Sequence, residues 1–89
     1  MKSRTTARFR KAYADLPKEI QDQARDAYRR FQKDPWRSSL RFKPVHPALP
    51  IYSARVGKGF RALGRRDEVG VVWFWIGSHA DYDKLLSQM

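Results

Sequence analysis

A short, uninterrupted run of apolar residues near the end of the chain restricts the fold more than any other feature. The run, Val71–Ile76, is β-branched and aromatic, and Gly70 and Gly77 border it. Its length and composition predict a strand that is buried on both faces rather than a helix. Ser78 and His79 follow, so we expect the strand to turn sharply into a last helix. A buried strand that brings polar residues into a turn is a common place for a functional site.

The length and composition predict one small domain, residues 1–89. The chain has no cysteine, which excludes disulfides and thiolate metal sites. Nothing in it resembles a signal peptide, and its longest apolar run is too short to cross a bilayer. We therefore expect a soluble, cytoplasmic protein with no membrane partner.

The first third of the chain has the pattern of two amphipathic helices. Apolar residues recur at helical spacing, and Pro17 separates two such series. Asp34-Pro35 ends the second helix. The apolar residues are Phe9, Ala12, Tyr13 and Leu16 in the first helix, and Ile20, Ala24, Ala27, Tyr28 and Phe31 in the second. A helical hairpin that buries these side chains against a sheet is the expected result.

Strand patterns follow. Leu40–Lys43, Ile51–Val56 and Phe60–Arg65 precede the apolar run, and Pro44, Pro47 and Pro50 make the first connection a rigid loop. Met1–Arg4 is expected to be a basic tail. The predicted class is α+β in the order ααββββα. We expect a small, mostly antiparallel four-stranded sheet, the N-terminal helical hairpin on one face, and a short C-terminal helix.

The charge is high and unevenly distributed. The formal net charge is +10, and the segment from Arg37 to Arg66 has eight basic residues and no acidic one. A basic segment with aromatic residues between the charges suits a polyanion such as nucleic acid. It suits an acidic protein partner equally well.

The second and third predicted strands would bring two arginines together. If Gly57-Lys58-Gly59 is a three-residue turn, Arg55 lies opposite Arg61. Like charges in directly opposite positions destabilise a hairpin. An anion across the pair would offset this cost. The anion could be a phosphate bound by two guanidinium groups, or an acidic side chain of a partner or of this chain.

Ser78 and Asp81 have the spacing of a capping box, so a structural role at the start of the helix is enough to explain both residues. His79 would begin the last helix, where the positive helix end favours the neutral imidazole. A neutral imidazole near arginines can act as a general base, although an ordinary surface histidine would fit the sequence as well. Histidines and acids do not occur at metal-ligand spacing, so we expect neither a metal nor another cofactor.

The hairpin Tyr52–Val56 … Phe60–Leu63 and the ending Trp75–Asp83, in the predicted order of elements, resemble the RelE/ParE superfamily of type II toxin–antitoxin toxins. The resemblance implies a metal-free, ribosome-dependent endoribonuclease that cuts mRNA and inhibits translation. It leaves two alternatives, a toxin of the ParE kind that inhibits DNA gyrase without cutting, and a basic binding module without toxicity. The implied partners are a cognate antitoxin and mRNA on the ribosome. Operator DNA would be bound through the antitoxin.

The same resemblance assigns site residues. Arg61 is similar to the family arginine that stabilises the phosphate, Arg55 to the basic residue opposite it, and His79 to the C-terminal histidine. His79 would act as the base or the acid of the reaction. The residues expected to bind the RNA are Lys43, Lys58, Arg65 and Tyr82. Trp73 or Trp75 could stack a base, or both could be core residues.

Overall fold

The computed structural model, which describes residues 1–89, is built around a five-stranded mixed sheet. The strands are β1 (Lys2–Thr5), β2 (Lys43–Pro44), β3 (Ile51–Val56), β4 (Phe60–Arg66) and β5 (Gly70–Ser78). The helices are α1 (Ala7–Ala14), α2 (Lys18–Lys33) and α3 (His79–Ser87). The strand order is β1-β5-β4-β3-β2. The predicted α+β class is confirmed, and β2 to β5 form the expected antiparallel meander.

The predicted four-stranded sheet and the ααββββα order are wrong in one element. The first residues are not a tail but strand β1, which pairs in parallel with the first half of β5, from Lys2 opposite Gly70 to Thr5 opposite Trp73. Gly70 permits this pairing, because a Cβ there would lie 1.8 Å from the carbonyl oxygen of Lys2. The indole N–H of Trp73 donates to Ser3 Oγ at 2.8 Å. The fifth strand makes β5 an interior strand.

The first predicted strand of the meander is shorter than expected. Residues Ser38–Leu40 form a turn of 3-10 helix that buries Leu40 to 1% exposure. Arg41 then takes a left-handed conformation with φ 47°, which interrupts an extended chain. Only Lys43–Pro44 pairs with β3. Pro44 is tolerated because β2 lies at the edge of the sheet, where its missing N–H costs no ladder hydrogen bond.

The N-terminal helical hairpin packs on one face of the sheet, as predicted. Thr6 caps α1, since its Oγ1 accepts the N–H of Phe9 at 3.1 Å. The core of this face contains Ala27, Phe31, Leu40, Phe42, Ala54, Val56, Ala62, Val71, Trp73 and Ile76, with the other apolar helix residues packed against it. Ala54 and Ala62 face each other across β3 and β4, so small side chains form the sheet surface between the two helices.

Helix α3 covers part of the opposite face. The register of β4 and β5 shifts between Leu63 and Gly64, which pair with Trp75 and Trp73, so Phe74 is the extra residue of a β-bulge. A bulge reverses the alternation of side chains, and Phe74 and Trp75 both pack on the second face. They surround Ile51, Leu63 and Tyr82 together with apolar residues of α3. None of the helices combines the length and hydrophobicity that crossing a membrane would need.

Candidate polyanion-binding site

The β3–β4 hairpin has the register that the sequence predicts. Arg55 lies opposite Arg61, and Val56 lies opposite Phe60, across the turn Gly57–Gly59. Gly57 has φ +59°, a conformation that glycine adopts without a steric penalty. The apolar side of the hairpin lies in the core under α1 and α2. Both arginines therefore point to the opposite face, where α3 begins.

Arg61 lies on this face in a partly buried position. Its guanidinium carbon is 5.7 Å from the centroid of the Tyr82 ring, within the range of a cation–π contact. Its Nη1 is buried and has no hydrogen-bond partner in the chain. A buried charged donor without an acceptor is costly. An anion beside Arg61 would supply the missing acceptor.

Arg55 is held differently from Arg61. Its Nε donates to the carbonyl oxygen of Gly57 at 2.9 Å, which ties the side chain to the turn. No carboxylate of the chain forms a salt bridge with Arg55 or Arg61. Of the predicted partners of the arginine pair, an acidic side chain of this chain is therefore excluded, and a phosphate or a partner's carboxylate remain as candidates.

The backbone of His79 is hydrogen-bonded to the turn of the hairpin that carries the two arginines. Its backbone N–H donates to the carbonyl oxygen of Gly59 at 2.8 Å, so α3 begins beside the turn. Ser78 caps the helix as predicted, since its Oγ accepts the N–H of Asp81 at 3.2 Å. The His79 ring meets the Tyr82 ring edge to face at 5.5 Å between centroids. Tyr82 thus contacts both the imidazole and the Arg61 guanidinium.

The imidazole is oriented by a residue that the sequence analysis missed. Nδ1 of His79 lies 3.2 Å from Oδ2 of Asp83, one helical turn later. The histidine side chain is 51% exposed. In the tautomer with its proton on Nδ1, the ring donates to Asp83 and keeps the lone pair of Nε2 as an acceptor. The spacing of four residues within a predicted helix is the sequence signal that could have identified Asp83.

The four predicted RNA-binding residues occupy different surroundings. Lys58 is exposed at the tip of the turn, next to the arginine pair. Lys43 lies opposite Ser53 on edge strand β2, so it points to the same face as Arg55 from the neighbouring strand. Arg65 is exposed on this face as well, but Leu63 lies between it and Arg61 and is covered by α3. Arg65 is therefore separated from the arginine pair.

The aromatic candidates are mainly packing residues. Tyr82 is 7% exposed and belongs to the second core. Trp73 is 4% exposed in the first core. Trp75 is partly buried, and its indole lies against Gly77, the residue opposite Arg61. Of the two tryptophans, only Trp75 lies on the face of the arginine pair.

A second group of residues was missed completely. At the other end of β4, the guanidinium carbon of Arg66 lies 5.0 Å from the ring centroid of Trp36 and 5.2 Å from that of Tyr52.

His46, the second histidine, has a structural role, since its Nδ1 accepts the N–H groups of Ala48 and Leu49 at 3.0 and 2.9 Å. No three His, Cys, Asp or Glu side chains lie close enough together to hold a metal ion.

The arrangement defines a class of protein: a small α+β domain whose β-hairpin and last helix bring two opposed arginines and a partly exposed histidine to one face of the sheet. The sequence matches the model of the ParE-like toxin domain over residues 18–84. The chain therefore belongs to this family, within the RelE/ParE superfamily of toxins.

Two solved structures resemble the fold. The first is the toxin–antitoxin complex RelBE2 from Mycobacterium tuberculosis, with 25% identity, a TM-score of 0.69, and coverage of 86% of this chain and 95% of that one. The second is the RelB–RelE antitoxin–toxin complex from Methanococcus jannaschii, with 13% identity, a TM-score of 0.74, and coverage of 92% and 96%. At 13% identity the second shows only a shared fold. A comparison with curated proteins found none that matches.

Proposed function

We propose that the chain is the toxin of a type II toxin–antitoxin module and that it cuts mRNA on the ribosome without a metal. The observation that carries the proposal is Arg61, which lies opposite Arg55, contacts Tyr82 as His79 does, and has a buried Nη1 with no acceptor in the chain. A phosphate is the anion that best fits two opposed guanidiniums, because its oxygens accept several hydrogen bonds at once. The formal charge of +10 would also favour binding to RNA and to the ribosome.

In this mechanism His79 removes the proton from a ribose 2′-OH, and the oxygen attacks the adjacent phosphate. Nε2 is the reacting nitrogen, since Nδ1 lies beside Asp83. Arg61 and Arg55 offset the negative charge that develops on the phosphate oxygens. Protonated His79, or an acid of the ribosome, then gives a proton to the leaving 5′-oxygen. Lys58 and Lys43 hold the neighbouring backbone phosphates, and Tyr82 fixes the positions of His79 and Arg61.

The proposed partner that silences this toxin is a cognate antitoxin. The two similar solved structures are complexes of a toxin with its antitoxin. This chain has an apolar groove of about 440 Å³ between α1, α2 and the sheet, referred to below as the helix groove. Phe9, Tyr28 and Ala54 contribute to its floor and walls, and Arg10, Arg25 and Arg29 are its basic members. An amphipathic segment with acidic residues on its polar side would match both properties.

The decisive experiment is induced expression of the wild type and of His79→Ala, with RNA 5′ ends mapped in the same cells. Growth arrest with new in-frame mRNA cuts, both absent in His79→Ala, is the expected result. Ser87→Ala, an exposed change at the other end of α3, is the control and should behave as wild type. Cuts that persist unchanged in His79→Ala would remove the histidine from the mechanism.

A second candidate function is inhibition of DNA gyrase without cutting. The match to the ParE-like toxin domain favours it, because the ParE branch of the superfamily acts in this way. Arrest with intact mRNA, and with inhibition of DNA supercoiling by the purified protein, would support this alternative. Absence of any arrest would leave a basic binding module without toxicity.

A further inference from the structure

A cluster of aromatic residues and one arginine lies away from the proposed catalytic site. We call it the Trp36 stack, and it consists of Trp36, Phe42, Tyr52 and Arg66. The Arg66 guanidinium contacts both the Trp36 and the Tyr52 rings, and its Nη1 donates to the Tyr52 hydroxyl at 3.0 Å. The Phe42 ring closes the cluster, with its centroid 5.2 Å from that of Trp36 and 4.9 Å from that of Tyr52.

Trp36 is the outer member of this cluster. It is 55% exposed, whereas Phe42 is 7% exposed. Its contacts with Arg66 and Phe42, and the hydrogen bond of its backbone N–H to Asp34 Oδ1 at 3.1 Å, fix its position. A large planar ring that is both exposed and held in place can bind another planar group at a low entropic cost.

The charges around the Trp36 stack are basic. Two exposed basic residues, Arg37 and Arg41, are adjacent in the chain to Trp36 and Phe42, whereas Lys43 and Arg65 point to the opposite face of the sheet. Of the three acids closest in sequence, Asp34 and Asp67 have carboxylates that accept backbone N–H groups, and Glu68 is exposed. An aromatic platform among cations is the combination that binds single-stranded nucleic acid, because bases stack on the ring while phosphates contact the cations.

We propose that the Trp36 stack is a binding site for single-stranded RNA, with a nucleobase stacked on the exposed face of the Trp36 indole. The inference rests on the proposed function for its choice of RNA. The site lies at the far end of β4 from Arg61, about 17 Å away along the strand at about 3.3 Å per residue. It binds RNA several nucleotides away from the phosphate that is cut, and takes no part in the chemistry.

The test measures the binding of a fluorescently labelled single-stranded oligouridine by anisotropy, with all proteins in a His79→Ala background so that they are tolerated by the cells. Trp36→Ala should weaken binding about tenfold, the loss of one base–aromatic stack. Trp36→Phe should recover most of it. Arg66→Lys, which keeps the charge but loses the planar contact, should also weaken binding. Leu49→Ala, which removes an exposed apolar side chain elsewhere, is the matched control.

Equal RNA affinity of Trp36→Ala and the control, with unchanged circular dichroism, would overturn the proposal. Unchanged RNA affinity together with weaker binding to the antitoxin would assign the stack to a protein contact and would overturn it as well. The proposed function fails separately, if wild-type protein cuts no mRNA in cells. If it does cut, Trp36→Ala should lower the amount of cutting at the same positions, whereas His79→Ala should abolish it.

Discussion

Arg61 occupies a position that a hairpin selected only for stability would avoid. It lies opposite another arginine, and one of its buried donors has no acceptor. Opposed like charges cost a hairpin roughly 0.2–1 kcal/mol. His79 differs, because its exposed ring already has a partner in Asp83. Arg61 is thus the residue whose surroundings favour the binding of an anion most directly.

Replacement of Arg61 should lower mRNA cutting without lowering the free energy of unfolding. Arg61→Gln is expected to lower mRNA cutting by about a hundredfold or more, the size of effect seen when a charge-stabilising donor is removed. Its free energy of unfolding should stay within about 0.5 kcal/mol of wild type or rise, because the repulsion with Arg55 is relieved. Primer extension on a reporter mRNA and urea unfolding measure the two quantities.

Arg55→Gln is the matched comparison on the opposite strand. This change relieves the same repulsion but also removes the hydrogen bond from Nε to the Gly57 carbonyl, so its free energy of unfolding should lie about 1 kcal/mol below that of Arg61→Gln. A strong loss of stability in Arg61→Gln, equal to that of Arg55→Gln, would make Arg61 a structural residue and contradict its assignment to the phosphate.

At the scale of elements, the turn between β4 and β5 depends on one carboxylate. Oδ1 of Asp67 accepts the N–H groups of Gly70 and Val69 at 2.9 and 2.8 Å. These two hydrogen bonds, the one from Gly70 first, hold the pKa of Asp67 below its usual value. The ionised carboxylate therefore stabilises the turn that aligns the two interior strands.

This arrangement predicts how stability changes with pH. Because the folded pKa of Asp67 is below its unfolded value, its contribution is fully present above the unfolded pKa, about 3.9. It is lost as the pH falls through the lowered folded pKa. Asp67→Asn should therefore show a smaller loss of thermal stability than wild type between about pH 5 and pH 2. Melting curves across this range, with exposed Glu68→Gln as control, check the difference. Parallel losses in all three proteins would contradict it.

The elements also show what the sequence could predict. The hairpin register followed from two glycines and the alternation around them, because a slip by one residue would bury arginines. The two helices, the cap at Ser78 and the interior position of the apolar strand also followed from local patterns. Strand β1 did not, since Lys2–Thr5 has no strong strand signal and forms only where Gly70 lets the backbone approach. Leu40 was assigned to a strand because nothing local indicates the left-handed Arg41.

The candidate site could be predicted only in part, for a related reason. Arg55, Arg61 and His79 come together through two successive hairpins and the direct junction of β5 with α3, so their proximity follows from neighbouring elements. The Trp36 stack joins two residues of the connection between α2 and β2 to one residue from each hairpin strand. Such contacts depend on the tertiary fold and have no spacing signal in the sequence. Arg65 stays a predicted RNA-binding residue, and Leu63, which packs against α3, lies between it and Arg61 along β4.

At the scale of the whole molecule, the two faces of the sheet have different surfaces. The face under α3 has the arginine pair and His79, whereas the other face has the helix groove with its apolar floor and basic members. Since the two surfaces lie on opposite faces, an antitoxin could anchor in the helix groove while another part of it reaches the arginine pair. A mutation in the helix groove of the toxin would then weaken antitoxin binding without changing the arginine pair that the antitoxin blocks.

A charge reversal at the helix groove tests this separation. Arg29→Glu places a negative charge on the polar side of the groove, where it would repel an acidic antitoxin segment. The variant should bind the antitoxin at least about tenfold more weakly, mainly by faster dissociation, and should cut mRNA as wild type does. Cells that express it should arrest even with the antitoxin present.

Arg8→Glu, an exposed change on α1 outside the groove, is the control for net charge. If both variants are neutralised as well as wild type, the helix groove is not the antitoxin site. Loss of cutting in Arg29→Glu alone would instead indicate that this face contacts the ribosome.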